Sequence, residues 1–223
     1  MVIPAMRKPK GFDQAVWSQA VIECCRAFLS LGVEQLTLVS DSSMRNAALQ
    51  FEKEPKFRFV ELNYEPQGAL ATVCIGLASN ESGRLGVGIC PADTIVSESL
   101  GDEIDEFGNS GSKCLVMAFE IPEALADASW SYVHKVDYGA DRIAVITEGA
   151  PSSPIATSGI FLFRDSETFL SAAQWCFVNQ TTTNQQYFAS SAVNYLIARE
   201  EKVDMKILAQ STFEKIGRER LSK

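Results

Sequence analysis

Leu85-Gly-Val-Gly-Ile-Cys-Pro-Ala-Asp93 is the stretch on which the fold turns. It is short and apolar, shows no alternation, and closes on a proline and one carboxylate. Such a run suits a strand buried on both faces, as in a parallel sheet covered by helices. Its two glycines let another backbone come close. Open α/β sheets bind their ligands beyond the carboxyl ends of the strands, which is where Asp93 falls. A carboxylate there can ligate a hard cation such as Mg²⁺, or it can simply cap a following helix.

Outward from this strand the chain alternates strand and helix. Met1 to Met6 reads as a clipped first strand, residues 7–13 as a loop, and Trp17 to Leu31 as a helix stopped by Gly32. Gln35 to Ser40 is β-rich, a short helix runs from Asp41–Ser42 through Phe51, and Phe57 to Leu62 is the next strand. A helix follows Pro66, then the Leu85 strand, a short acidic helix from Ser97 to Phe107, a loop at 108–111 and a strand from Lys113 to Ile121. Trp130 to Val136 and Arg142 to Thr147 alternate about Gly139, a hairpin signature. A strand from Ser158 to Phe163, helices over 166–178 and 184–199, a late strand at Lys206 to Leu208 and a charged terminal helix complete the expectation. With no linker and no repeat, residues 1–223 are expected to form a single α/β domain with a mixed, mostly parallel sheet.

The 223 residues carry a net charge of −8 without a basic block, a poor basis for binding nucleic acid or an anionic membrane. No apolar run is long enough to span a bilayer, and the N-terminus has no signal-like apolar region. The six cysteines form no CxxC pair and there is a single histidine, which argues against a zinc site and for free thiols in a reducing cytoplasm.

Several stretches, taken together and in order, resemble the sugar-phosphate nucleotidyltransferases, also called nucleoside-diphosphate-sugar pyrophosphorylases. They are Pro9-Lys10, Glu65-Pro-Gln-Gly-Ala-Leu-Ala-Thr-Val73, Cys90-Pro-Ala-Asp93, Ala128 to Val133, Val145 to Glu148, Ala156 to Phe163, and Thr183-Asn184 through Ile197. The resemblance spans nearly the whole chain and implies a nucleotide-diphospho-sugar-transferase-like α/β/α sandwich. It implies transfer of a nucleotidyl group from a nucleoside triphosphate to a sugar 1-phosphate with Mg²⁺, in which positioning and charge neutralisation supply the catalysis. Residue by residue, it implies that Gln67 and Gly68 contact the base and that Asp93 binds Mg²⁺. Lys10 would meet a phosphate, Glu148 would accept from sugar hydroxyls, and Gly159 would line the sugar site. The partner it implies is a nucleotide or nucleotide sugar, and a homo-oligomer is compatible with it.

The chain departs from the family pattern at three places. Only Pro4 to Lys8 stand where a glycine-rich phosphate loop is expected. Gly149 replaces a lysine, and Gln186, Ser191 and Ala192 occupy the places where a second acid is expected. These departures set two alternatives beside the enzyme: a degenerate nucleotide- or nucleotide-sugar-binding protein, and a metal-dependent glycosyltransferase of the same fold.

Each singled-out residue also has a plainer reading. Gln67-Gly68 opens a helix, Lys10 is solvated, Glu148 ends a strand and Gly159 packs. His134 lies on the surface, and Trp130 and Tyr132 pack the hairpin. Asp102, Glu103, Asp105 and Glu106 form a solvated helix face. Ser152 and Ser153 lack a nearby base and are not expected to act as nucleophiles.

Overall fold

A computed structural model describes residues 1–6, 8, 13–79, 86–96, 100–136 and 142–215. The chain runs β1 (Val2–Pro4), α1 (Gln14–Ser30), β2 (Leu36–Ser40), α2 (Arg45–Ala48), β3 (Phe57–Glu61), α3 (Ala69–Ala78), β4 (Val87–Ile89), β5 (Thr94–Val96), α4 (Gly101–Asn109) and β6 (Cys114–Glu120). It continues with β7 (Ser131–Lys135), β8 (Ile143–Glu148), β9 (Ile155–Phe163), α5 (Ser166–Val178), α6 (Ala189–Ala198), β10 (Val203–Leu208) and β11 (Phe213–Lys215).

Seven strands lie in the order β10-β6-β9-β4-β1-β2-β3, and the β7–β8 hairpin joins through β7 to β9. Four of the six pairings along that path are parallel, and the two that involve β9 are antiparallel. The expected mixed, mostly parallel α/β/α sandwich is therefore what forms. Both faces of the sheet are covered, so alternate side chains of one strand feed opposite cores. Leu115, Met117 and Phe119 of β6 pack with α1, α2 and α4, whereas Cys114, Val116 and Ala118 pack with α3, α5 and α6. This is why the central strands read as unbroken apolar runs.

The Val87–Cys90 part of the opening stretch is buried as expected, beside β1 on one side and β9 on the other; Leu85 lies outside the described residues. Gly88 makes room for a side chain rather than a backbone, since a Cβ there would lie 2.6 Å from Met1 Cε. Helix α1 starts one turn earlier than its apolar period suggests, because the Asp13 carboxylate accepts from Ala15 N–H at 2.7 Å and so caps it. Gly32, at φ +76°, supplies the expected stop.

The sequence misses an antiparallel pair outside the main sheet, β5 with β11. β11 occupies residues 213–215, where a charged terminal helix was expected, and residues 216–223 lie outside the described set. The acidic helix is described from Gly101, the expected start at Ser97 lying outside the described residues, and the last described helix begins at Ala189 rather than Asn184. All six cysteines are free. No helix among the described residues is long and apolar enough to cross a membrane.

Two side chains tie layers together. Asn194 of α6 accepts from Ile146 N–H and donates to Ile146 C=O, both at 2.8 Å, closing the open edge of β8. Arg164, just after β9, donates to the carbonyls of Ser112 at 2.9 Å, Gly108 at 2.8 Å, Phe107 at 2.7 Å and also Ser110, while its guanidinium lies 4.5 Å from the Phe107 ring centroid. It thereby satisfies the carbonyls that α4 leaves open at its C-terminus. Replacing it by alanine is expected to cost roughly 2–4 kcal/mol, given about 1.5–3 kcal/mol per charged hydrogen bond and incomplete additivity. Lysine is expected to recover less than half of that, because an ammonium cannot fan out over four carbonyls. Urea denaturation measures both; a loss below about 0.5 kcal/mol for Arg164→Ala, the range of an inconsequential surface change, would contradict this role.

Candidate active site

At the C-terminal rim of β1 and β4 the two helix layers part, leaving a cleft of about 330 Å³. That size is at the lower end of small-molecule sites, which run from about 300 to 1,000 Å³. Pro4 at the end of β1 and Met6 after it, Pro91 to Asp93 after β4, Gly68 and Ala69 at the start of α3, Glu148 at the end of β8, Thr157 to Gly159 of β9, and Gln186 and Phe188 to Ser190 before and within α6 contribute to its wall. Trp17 and Trp130 add aromatic surface.

Four residues singled out from the sequence meet here: Asp93, Gly68, Glu148 and Gly159. Gln67 is not part of the wall, and Lys10 lies outside the described residues. Asp93 does not cap a helix, because the element that follows it is strand β5. Its turn is held by Thr94, whose N–H donates to Pro91 C=O at 3.1 Å and whose buried hydroxyl donates to Ser158 C=O at 3.2 Å.

Ser158 belongs to a bulge in β9. Four residue steps of β9, from Thr157 to Phe161, lie opposite two steps of β6, from Val116 to Ala118. Gly159 at the bulge has φ +80°, and a Cβ on it would lie 2.4 Å from Pro91 Cγ. The glycine therefore both packs and borders the cleft.

Glu148 is gripped from two elements. Its carboxylate accepts from the Ser131 hydroxyl of β7 at 2.8 Å and from the buried Ser190 hydroxyl of α6. A carboxylate offers about four lone-pair directions, so two remain for a ligand. Neither serine was singled out from the sequence, since a hydroxyl on the neighbouring strand or on a later helix leaves no local signal.

Gly68 sits at φ +96°, and a Cβ there would lie 2.5 Å from Tyr187 C=O. The absence of that Cβ lets residues 183–188 lie down as a strap. Tyr187 N–H donates to Gln67 C=O at 3.1 Å, Leu70 N–H donates to Tyr187 C=O at 3.0 Å, and the Gln67 side-chain amide donates to Gln185 C=O at 2.8 Å. Thr183 and Gln186 exchange two backbone bonds of 3.0 Å across Asn184 and Gln185, which have φ +49° and +62°. This is a tight turn with both central residues left-handed, usually Asn-Gly. Gln185 in that region costs about 1 kcal/mol or more.

The wall contains three carboxylates, Glu65, Asp93 and Glu148, and among its described residues no Lys, Arg or His. No group of three or more His, Cys, Asp or Glu among the described residues could hold a metal ion. Burial pushes the Cys90 thiol, at the end of β4, well up.

Away from the cleft, His134 does have a serine beside it. Its Nε2 lies 3.0 Å from Ser152 Oγ and 3.2 Å from Thr147 Oγ1, which corrects the expectation that Ser152 lacks a nearby base. None of the three borders the cleft, and the Ser152 hydroxyl donates to Ala150 C=O at 2.9 Å. Trp130 and Tyr132 pack as expected: Trp130 meets Phe119 edge-on at 5.0 Å, and the Tyr132 hydroxyl donates to Asp127 C=O at 2.7 Å. In the acidic run, Glu106 pairs with Lys206 at 2.9 Å.

No protein-family model and no curated protein sequence matches the chain. Solved structures do. A nucleoside-diphosphate-sugar pyrophosphorylase from Vibrio cholerae RC9 superposes with a TM-score of 0.76 at 15% identity, over 97% of this chain and 96% of that one. The inositol-1-phosphate CTP transferase from T. maritima gives 0.69 at 12% identity, over 96% and 87%. HddC from Yersinia pseudotuberculosis gives 0.65 at 13%, over 97% and 92%. At such identities the likeness establishes architecture: over 96–97% of its length this chain has the fold of that nucleoside-diphosphate-sugar pyrophosphorylase and of that CTP transferase.

Proposed function

We propose that the protein acts on sugar nucleotides in the cytoplasm, transferring a nucleotidyl group from a nucleoside triphosphate to a sugar 1-phosphate. The observation that carries the proposal is the meeting of Asp93 and Glu148 in one cleft at the sheet's C-terminal rim. The shared fold supports it: one solved structure of this architecture is a nucleoside-diphosphate-sugar pyrophosphorylase and another an inositol-1-phosphate CTP transferase.

In this reading a phosphate oxygen of the sugar 1-phosphate attacks the α-phosphorus, the bond to the β-phosphate breaks, and pyrophosphate leaves. The donor set fits a Mg²⁺ that arrives with the triphosphate, because Mg²⁺ takes one or two carboxylates and fills its other positions with phosphate oxygens and water. Asp93 would hold that ion, which draws charge off the reacting phosphates. Glu148, fixed by Ser131 and Ser190, accepts from sugar hydroxyls and orients the acceptor. Lys10 meets a phosphate, and Gly68 contacts the base.

A second reading, binding without turnover, is favoured by one observation: the described wall holds no cationic side chain to meet a triphosphate. A pyrophosphate-release assay across nucleoside triphosphates and sugar 1-phosphates with Mg²⁺ separates the two. Turnover that falls about 100-fold or more in Asp93→Ala is the expected result. No turnover by the native chain, with saturable binding of a nucleotide sugar, selects the binding protein. Glu148→Gln is expected to raise KM for the sugar phosphate about tenfold with kcat nearly unchanged, the pattern of lost uniform binding; an unchanged KM would remove Glu148 from the sugar site.

A further inference from the structure

Resting on the sugar-nucleotide reading, we infer that Gln186, rather than Gln67, is the side chain that reads the nucleobase. The two amides have opposite situations. Gln67 lies outside the cleft wall, and its amide N–H₂ is committed to Gln185 C=O at 2.8 Å. Gln186 borders the cleft and is half-buried. Its own N–H and C=O are both bonded to Thr183 at 3.0 Å, which leaves the side-chain amide as the polar group it offers a ligand.

The strap fixes the backbone that carries that amide. Gln186 is flanked by the strained Asn184-Gln185 turn and by Tyr187, whose backbone is bonded on both sides to the Gln67–Leu70 segment. The Tyr187 ring packs edge-on against Phe177 at 4.8 Å, anchoring the strap from outside. A residue so held keeps its position when a ligand arrives, which is what selective recognition needs.

The chemistry of an amide suits the base better than the phosphates. Phosphates call for cations, and a neutral amide cannot replace a carboxylate at Mg²⁺ with equal strength. An amide places one donor beside one acceptor, matching paired groups on a nucleobase edge. Pro66, Ala69 and Phe188 lie along the same wall and supply apolar surface for a flat ring. Glu148, held by Ser131 and Ser190, is left for the sugar hydroxyls.

The test is calorimetric titration of the full chain with AMP, GMP, CMP, UMP and dTMP. The native protein is expected to prefer one base by tenfold or more, and Gln186→Leu to compress that preference below about threefold with its thermal midpoint unchanged. Gln186→Glu, which keeps the length but removes the donor, is expected to shift the preference by a similar factor and covers the case in which the leucine variant folds poorly. Native binding with no base preference, or a preference kept by both variants, overturns the role of Gln186 and leaves the cleft assignment standing. No binding of any of these nucleotides or of a nucleoside-diphosphate glucose overturns both.

Discussion

The contact between Gly159 and Pro91 is the constraint on which the site depends. Strand β9 runs against its neighbours β4 and β6, between the parallel pairs of the main sheet, and at its centre it bulges. Only a residue without a Cβ fits there, because Pro91 Cγ already occupies the place a Cβ would take. The bulge turns Ser158 C=O toward the Thr94 hydroxyl, and through that bond the turn carrying Asp93 is fixed to β9. The Ser158 hydroxyl in turn donates to Met117 C=O at 3.1 Å, so the anchor reaches β6 as well. An acid at a strand end would otherwise sit on a mobile loop; here it is braced by three strands.

The opposite wall is built by a different device. Strap 183–188 closes over Gly68 through backbone bonds, while α6 sends Ser190 to Glu148 and Asn194 to the edge of β8. One short helix thus sets the carboxylate, the strand that bears it, and the segment leading in from the strap. The strain in Asn184 and Gln185 is tolerated because the flanking residues are over-determined by these bonds.

The features legible in the sequence follow from solvent exclusion. Strands such as Cys114–Glu120 are apolar from Cys114 to Phe119 because both faces are covered. The cleft's position followed from the rule that open α/β sheets bind ligands at their strand ends, and the turn after Cys90 was identifiable from its proline and acid. What the sequence did not disclose is long-range. Pairing of β5 with β11 joins segments over a hundred residues apart, and the grip of Ser131 and Ser190 on Glu148 spans 17 and 42 residues. The position of Gln67 off the cleft wall was hidden for a related reason: its amide is bonded to a turn 118 residues later.

The central claim is that a nucleotide sugar occupies the cleft at the sheet's rim. Hydrogen–deuterium exchange of the full chain, with and without nucleoside-diphosphate glucose and Mg²⁺, tests it most directly. Protection confined to residues 65–69, 91–94, 148 and 157–159 together with the 183–190 strap is the predicted footprint. Unchanged exchange there, or protection centred on the hollow near Lys113 and Arg199 at the C-terminal end of α6, would contradict it.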